Sequence, residues 1–196
     1  MRILVAIPTK DTIDAEAAIA AANLDPCGHE LEYAHANGRG VYGIAQARKC
    51  VTTKAISGGF DYLLMIDSDT IVPKDALKHL LDPEVDIVLG LYRYKNETGD
   101  SPFFRFVPDE NGSVRWRFDE VPDGRFEVKN GGLGCSLVKV DVFNKIKKPY
   151  FHFEERESGC HTSEDIWFLD RCRNAGMTIW ADGRVKCKHA GRKVYS

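Results

Sequence analysis

"LLMIDSDTIVP", residues 63–73, decides how this chain is read. A run of large apolar side chains leads directly into two carboxylates, Asp67 and Asp69, separated only by Ser68. The run reads as a buried strand, and the aspartates fall where the strand ends. Like charges this close repel, so the pair calls for a compensating cation, a hydrogen-bond donor or solvent.

Working outward, the first half of the chain alternates in period. "RILVAIP" (2–8) is strand-like, after which Ile13, Ala17, Ala20 and Leu24 recur at helical spacing. "ELEYAHANG" (30–38) reads as a second strand, and Ile44, Ala47, Val51 and Ala55 mark a second helix stopped by Gly58 and Gly59. The strand "YLLMID" (62–67), a short helix opening at Pro73 and the strand "DIVLGLYRY" (86–94) follow. Strands alternating with helices predict βαβ crossovers and a mostly parallel sheet. Ligands of such sheets gather outside the carboxyl ends of the strands, which is where Pro8, Thr9, Asp67 and Asp69 fall.

The second half changes character. "FFRFVPDENGSVRWRF" (103–118) is two alternating aromatic runs around an Asn-Gly turn, hence a hairpin. "FEVKNGGLGCSLVKVDVF" (126–143) is strand, glycine-rich turn and strand, with a helix starting near Asp141. "TSEDIWFLDRCRNAG" (162–176) is a helix with Ser163 as N-cap and Gly176 beyond its end. "MTIWADG" and "VKCKHAG" close the chain as two short extended segments. The fold class expected is α/β: one domain over 1–196, a mostly parallel central sheet flanked by helices, with a smaller antiparallel C-terminal portion.

At 196 residues and 43% hydrophobic, the chain can bury one sizeable core. A formal net charge of −2 argues against a nucleic-acid partner and a polybasic membrane binder, so an anionic ligand must be met by local positive charge. The start "MRILVAIPTKD" lacks a signal-peptide pattern, and no stretch approaches the ~18 apolar residues of a membrane span, so a soluble, cytoplasmic protein is expected. Six cysteines without a C-x-x-C pair read as reduced, structural thiols.

Two carboxylates one residue apart at a strand end can share a hard divalent cation with water and a substrate diphosphate. His189 can complete such a site, and imidazole suits Mn²⁺ better than Mg²⁺. Around it Lys186, Lys188, Arg192 and Lys193 form a local positive cluster able to neutralise a departing phosphate, or simply a solvated tail. Arg48 follows a glycine-bearing loop, placed either for a phosphate or nucleobase or as the polar face of a helix. Glu164 and Asp165 occupy the first turn of their helix, where the macrodipole favours acids and a proton acceptor would stay ionised.

With "LVAIPTK", "ARKC", "MIDSDTIV", "GGLGCSLVKVDVF", "SEDIWFLDRCRNAG" and "HAG" in this order, nearly the whole chain resembles the family 2 glycosyltransferases and their GT-A-fold relatives. The resemblance implies a nucleotide-diphosphate sugar lying across the strand ends, with 1–95 as the nucleotide-binding half and 96–196 as the acceptor and donor-sugar half. It places Pro8, Thr9, Arg48, Asp67, Ser68, Gly132 and Lys193 at the donor. It makes Asp69, Asp67 and His189 the ligands of Mn²⁺ or Mg²⁺, and Asp165 the general base beside Glu164. It implies inversion at the anomeric centre. The acceptor class (glycan, lipid, protein or small molecule) does not transfer. Two other readings stand beside it: a haloacid dehalogenase-type phosphatase using the Asp67/Asp69 pair, and a non-catalytic nucleotide-binding module.

Overall fold

The computed structural model describes residues 1–93, 95, 100–105, 114–155 and 161–191. Its first strand, β1 (Arg2–Thr9), is buried along most of its length, and helix α1 (Ala15–Ala22) crosses to β2 (Glu30–Asn37), which pairs with β1 in parallel. Helix α2 (Gly43–Ser57) then returns the chain to β3 (Tyr62–Ile66), parallel to β1 on its other side. All five residues of β3 are buried, which is why its sequence is continuous apolar rather than alternating. A two-residue strand β4 (Thr70–Ile71), the short helix α3 (Ala76–Leu80) and the fully buried β5 (Ile87–Leu91) complete the first half. Helix α3 starts three residues after Pro73, because Pro73 instead closes a turn by accepting the Ala76 N–H at 3.1 Å.

In the second half, β6 (Asp100–Arg105) and β7 (Val114–Arg117) pair antiparallel as the expected hairpin; its Asn111-Gly112 turn lies outside the described residues. After β8 (Arg125–Glu127) and β9 (Cys135–Lys139) come the one-turn helix α4 (Val142–Lys145), the short strands β10 (Glu154–Glu155) and β11 (His161–Thr162), and helix α5 (Glu164–Asn174). The last two segments are β12 (Trp180–Lys186) and β13 (Lys188–His189). The break expected near Gly183 is a slip of register inside β12, between Asp182 and Lys186, rather than a separation of two elements.

The central sheet has seven strands in the order β2-β1-β3-β9-β5-β12-β8. Five run in one direction, while β9 and β8 oppose them. Of the antiparallel strands of the second half, β6-β7 and β10-β11 form separate pairs, while β8 and β9 join the central sheet, with β9 lying between β3 and β5 and pairing with both. Its register, Ile66 opposite Cys135, brings the glycine-rich turn before β9 against the turn after β3.

Helix ends and packing follow local chemistry. Asp14 caps α1 by accepting the N–H groups of Glu16 and Ala17 at 2.9 and 3.2 Å, and Ser163 caps α5 through the Ile166 N–H. On α5, the buried Phe168 stacks on Phe143 of α4 and on Phe151 in the segment after it, clamping the two helices together. Before α2, Gly38 passes so close to Gly43 that an added Cβ would lie 1.6 Å from the Gly43 carbonyl oxygen. Because the obstacle is backbone, no rotamer relieves it. Gly38→Ala is therefore expected to destabilise the protein by about 1–3 kcal/mol or more in urea unfolding; an unchanged midpoint would show that the crossing is looser than described.

Candidate active site

The turn after β3 is fixed before any side chain is considered. The Asp67 N–H donates to the Gly134 carbonyl at 2.9 Å and the Thr70 N–H to the Asp67 carbonyl at 2.9 Å. Strand β4 then pairs with β13, setting His189 opposite Thr70, and the Ala190 N–H donates to the Asp69 carbonyl at 2.8 Å. Two residues of backbone pairing thus bring together aspartate and histidine that are 120 positions apart in sequence.

The side chains meet as the pairing dictates. His189 Nε2 is 3.3 Å from Asp69 Oδ1, and Nδ1 is 2.9 Å from the Arg93 carbonyl oxygen. Since a carbonyl only accepts, Nδ1 carries the proton, and neutral His189 turns the lone pair of Nε2 toward a carboxylate oxygen. Two acceptors in contact require a proton or a cation between them. The imidazolium form supplies the proton; a divalent cation would supply the alternative, since a carboxylate oxygen and an imidazole nitrogen are both its ligands. The second oxygen of Asp69, Oδ2, accepts from the Lys95 ammonium at 2.5 Å. Burial resists ionisation of Asp69, but hydrogen bonds from His189 and Lys95 prevail and hold its carboxyl at about 2. Among the described residues no group of three or more His, Cys, Asp or Glu side chains converges on one point, so Asp69 and His189 meet here as a pair.

A second cluster lies on the base of Asp67. Arg48 is 1% exposed, on the buried face of α2 with Ala47, Val51 and Thr52, not on its polar face. Its Nη2 donates to Asp67 Oδ1 at 2.9 Å, its Nε is 3.3 Å from Glu164 Oε1, and Nη2 is 3.4 Å from Asp165 Oδ1. One guanidinium therefore meets three carboxylates from two elements, the β3 turn and the first turn of α5. A buried cation with that many carboxylates remains charged at any relevant pH. Asp165 is fixed at its other oxygen, where Oδ2 accepts the Leu133 N–H at 3.3 Å.

With three negative groups around one cation, a proton is retained. Burial, helped by the Glu164 and Asp67 charges, raises the Asp165 carboxyl well above the usual range against the pull of Arg48. Burial likewise raises Asp67, again opposed by Arg48. Tyr92 joins the two clusters: its hydroxyl accepts the Gly134 N–H at 3.3 Å, and its ring meets the His189 ring edge-on at 5.4 Å between centroids. A side chain at Gly134 would strike the Tyr92 ring at 2.8 Å, so the glycine there makes room for the tyrosine.

Beside Asp69 opens a cleft of about 440 Å³, lined by the loop after β1 (Thr9, Lys10, Asp11, Thr12), by Ser68 and Asp69, and by Lys95 and Ala190. Thr9 is buried, and its hydroxyl shapes this loop by donating to the Thr12 carbonyl at 3.1 Å. Of the residues expected at the donor, Thr9 and Ser68 line the cleft beside Asp69, expected as a metal ligand; Pro8, Arg48 and Gly132 are buried and do not, and Asp67, expected in both roles, is instead bonded to Arg48. Lys193, with Arg192, lies outside the described residues. Glu164 is buried against Arg48. Sequence reasoning passed over Lys10, Asp11, Tyr92 and Lys95, which belong to no pattern; only their positions just past strand ends marked them.

Comparison with protein-family models and with curated protein sequences finds no match, but comparison of folds does. The chain superposes on A197 from STIV with a TM-score of 0.66 at 20% identity, covering 100% of this chain and 93% of that one. GalNAc-T7, solved with UDP, GalNAc and Mn²⁺, superposes with a TM-score of 0.63 at 11% identity, covering 97% and 44%. A Drosophila β-1,4-galactosyltransferase 7 mutant, solved with manganese, UDP-Gal and xylobiose, gives 0.53 at 15%, covering 92% and 64%. The chain spans less than two thirds of the length of these last two. The fold is that of the GT-A glycosyltransferases.

The raised Asp165 carboxyl has a measurable sign. Near pH 4 and below, folded and unfolded chains both hold the proton; above about pH 3.9 only the folded chain keeps it, and that advantage is lost as the pH rises through the folded value. Relative to Asp165→Asn, the wild-type protein should lose unfolding free energy as urea denaturation is carried from pH 4 upward. A constant difference would mean that Asp165 titrates normally.

Proposed function

We propose that this protein is a glycosyltransferase of the family 2 type, moving a sugar from a nucleotide-diphosphate donor to an acceptor hydroxyl with Mn²⁺ or Mg²⁺. The observation that carries the reading is the contact between Asp69 Oδ1 and His189 Nε2, a carboxylate oxygen and an imidazole nitrogen 3.3 Å apart beside a cleft on the strand ends. The GT-A fold supports it, and so do the UDP and Mn²⁺ bound by two proteins of that fold. The first 95 residues would form the nucleotide half and the remainder the donor-sugar and acceptor half. The described cysteines, Cys27, Cys50, Cys135, Cys172 and Cys187, are all free thiols, which fits a cytoplasmic setting. Among the described residues no helix is long and apolar enough to cross a membrane.

In this reading the cleft beside Thr9 and Ser68 takes the nucleotide, and Asp69 with His189 holds the metal. When bound, the metal neutralises the charge that builds on the diphosphate as the sugar leaves. Asp165 accepts the proton of the acceptor hydroxyl. The Leu133 N–H holds Asp165 Oδ2 and leaves Oδ1, 3.4 Å from Arg48 and without a hydrogen-bond partner, to take that proton once the carboxyl is ionised. Attack from the side opposite the leaving diphosphate would invert the anomeric centre. The phosphatase reading requires a free nucleophile at Asp67, and the 2.9 Å bond from the buried Arg48 argues against it.

Calorimetric titration with UDP and GDP, each with Mn²⁺ and again with EDTA, tests the reading. Metal-dependent binding that disappears in Asp69→Ala is expected. In the same reading, Asp165→Asn retains donor binding while transfer or donor hydrolysis falls about 10²–10⁴-fold. If neither nucleotide bound the folded protein, the reading would be rejected.

A further inference from the structure

Both oxygens of Asp69 are engaged: Oδ1 by His189 and Oδ2 by Lys95 at 2.5 Å. Lys95 reaches Asp69 from the segment following β5, 26 positions away, and lines the same cleft. A carboxylate paired with an ammonium presents little net charge, so a bare divalent cation finds a neutralised pair and a single imidazole lone pair. Lys95 and the carboxylate are each 37% exposed, and a pair that exposed is cheap to separate. A diphosphate changes the balance, because it brings negative charge for both the cation and the released ammonium.

We infer that Lys95 is a built-in counter-ion for Asp69, one that holds the cation site closed in the nucleotide-free protein and is displaced when metal and diphosphate arrive together. The inference rests on the donor-site reading above and adds an order of binding to it. Metal affinity is low without nucleotide, and the coupling between the two ligands depends on the charge at position 95. The same coupling must appear as tighter nucleotide binding in the presence of metal, since linkage is reciprocal. Lys95 then stands free to meet the diphosphate oxygens, a role its length and single charge suit.

Electron paramagnetic resonance of free Mn²⁺, titrated into wild-type protein, Lys95→Met, Lys95→Arg and Asp69→Asn with and without UDP, decides the matter. Circular dichroism confirms folding of each variant. Without UDP, Lys95→Met should bind Mn²⁺ about threefold or more tightly than wild type, the scale of an exposed ion pair. Its gain on adding UDP should shrink by the same factor, and Lys95→Arg should behave as wild type. Equal or weaker Mn²⁺ binding by Lys95→Met, with an undiminished UDP effect, would overturn the inference and leave the donor site intact. No Mn²⁺ bound by wild type with UDP present would overturn both.

Discussion

One buried guanidinium organises the acidic heart of this protein. Arg48 is shut away from solvent on α2, and its natural cost in that position is offset by carboxylates supplied from the β3 turn and from the start of α5. Each partner is thereby constrained. Asp67 is turned into the protein, Glu164 is buried, and Asp165 is left with one oxygen toward the arginine and the other on a backbone N–H of the glycine-rich turn. A helix, a strand end, a turn and a helix start are joined at a single atom group.

The Asp69–His189 half is built by different means. There the organising contact is backbone: β4 against β13, two residues each, with the Ala190 N–H on the Asp69 carbonyl. Tyr92 lies between the halves, touching His189 with its ring and Gly134 with its hydroxyl. The division separates two charge problems. Asp69 is held ionised at the cleft by its hydrogen-bond partners, while burial behind it raises the Asp165 carboxyl well above the usual carboxylate range.

What the sequence made legible was whatever is local or periodic. β1, β3, β5, α2 and α5 announce themselves through unbroken apolar runs, 3.6-residue spacing and a serine cap, and the D-S-D turn falls past a strand end as an open α/β sheet requires. The position of β9 was not legible, because strand order is set by long-range pairing: nothing in "CSLVK" says that it will lie between two strands from the first half. The burial of Arg48 was hidden for a related reason. Its place on the helix matches the apolar face, but its side chain suggests the polar one, and only carboxylates from other elements, Asp67 after β3 and Glu164 and Asp165 on α5, decide between them. Lys95 carries no pattern, and its role appears only once Asp69 is in view.

The most direct test of the account is the stability of Arg48→Met, measured by urea unfolding from neutral pH down to pH 4. If the guanidinium compensates three carboxylates, the variant should lose about 3–5 kcal/mol at neutral pH. The loss should shrink as the pH falls, because protonating the carboxyls removes the charge that Arg48 was offsetting. A loss within about 1 kcal/mol at neutral pH, the scale of an ordinary surface ion pair and unchanged by acid, would contradict it.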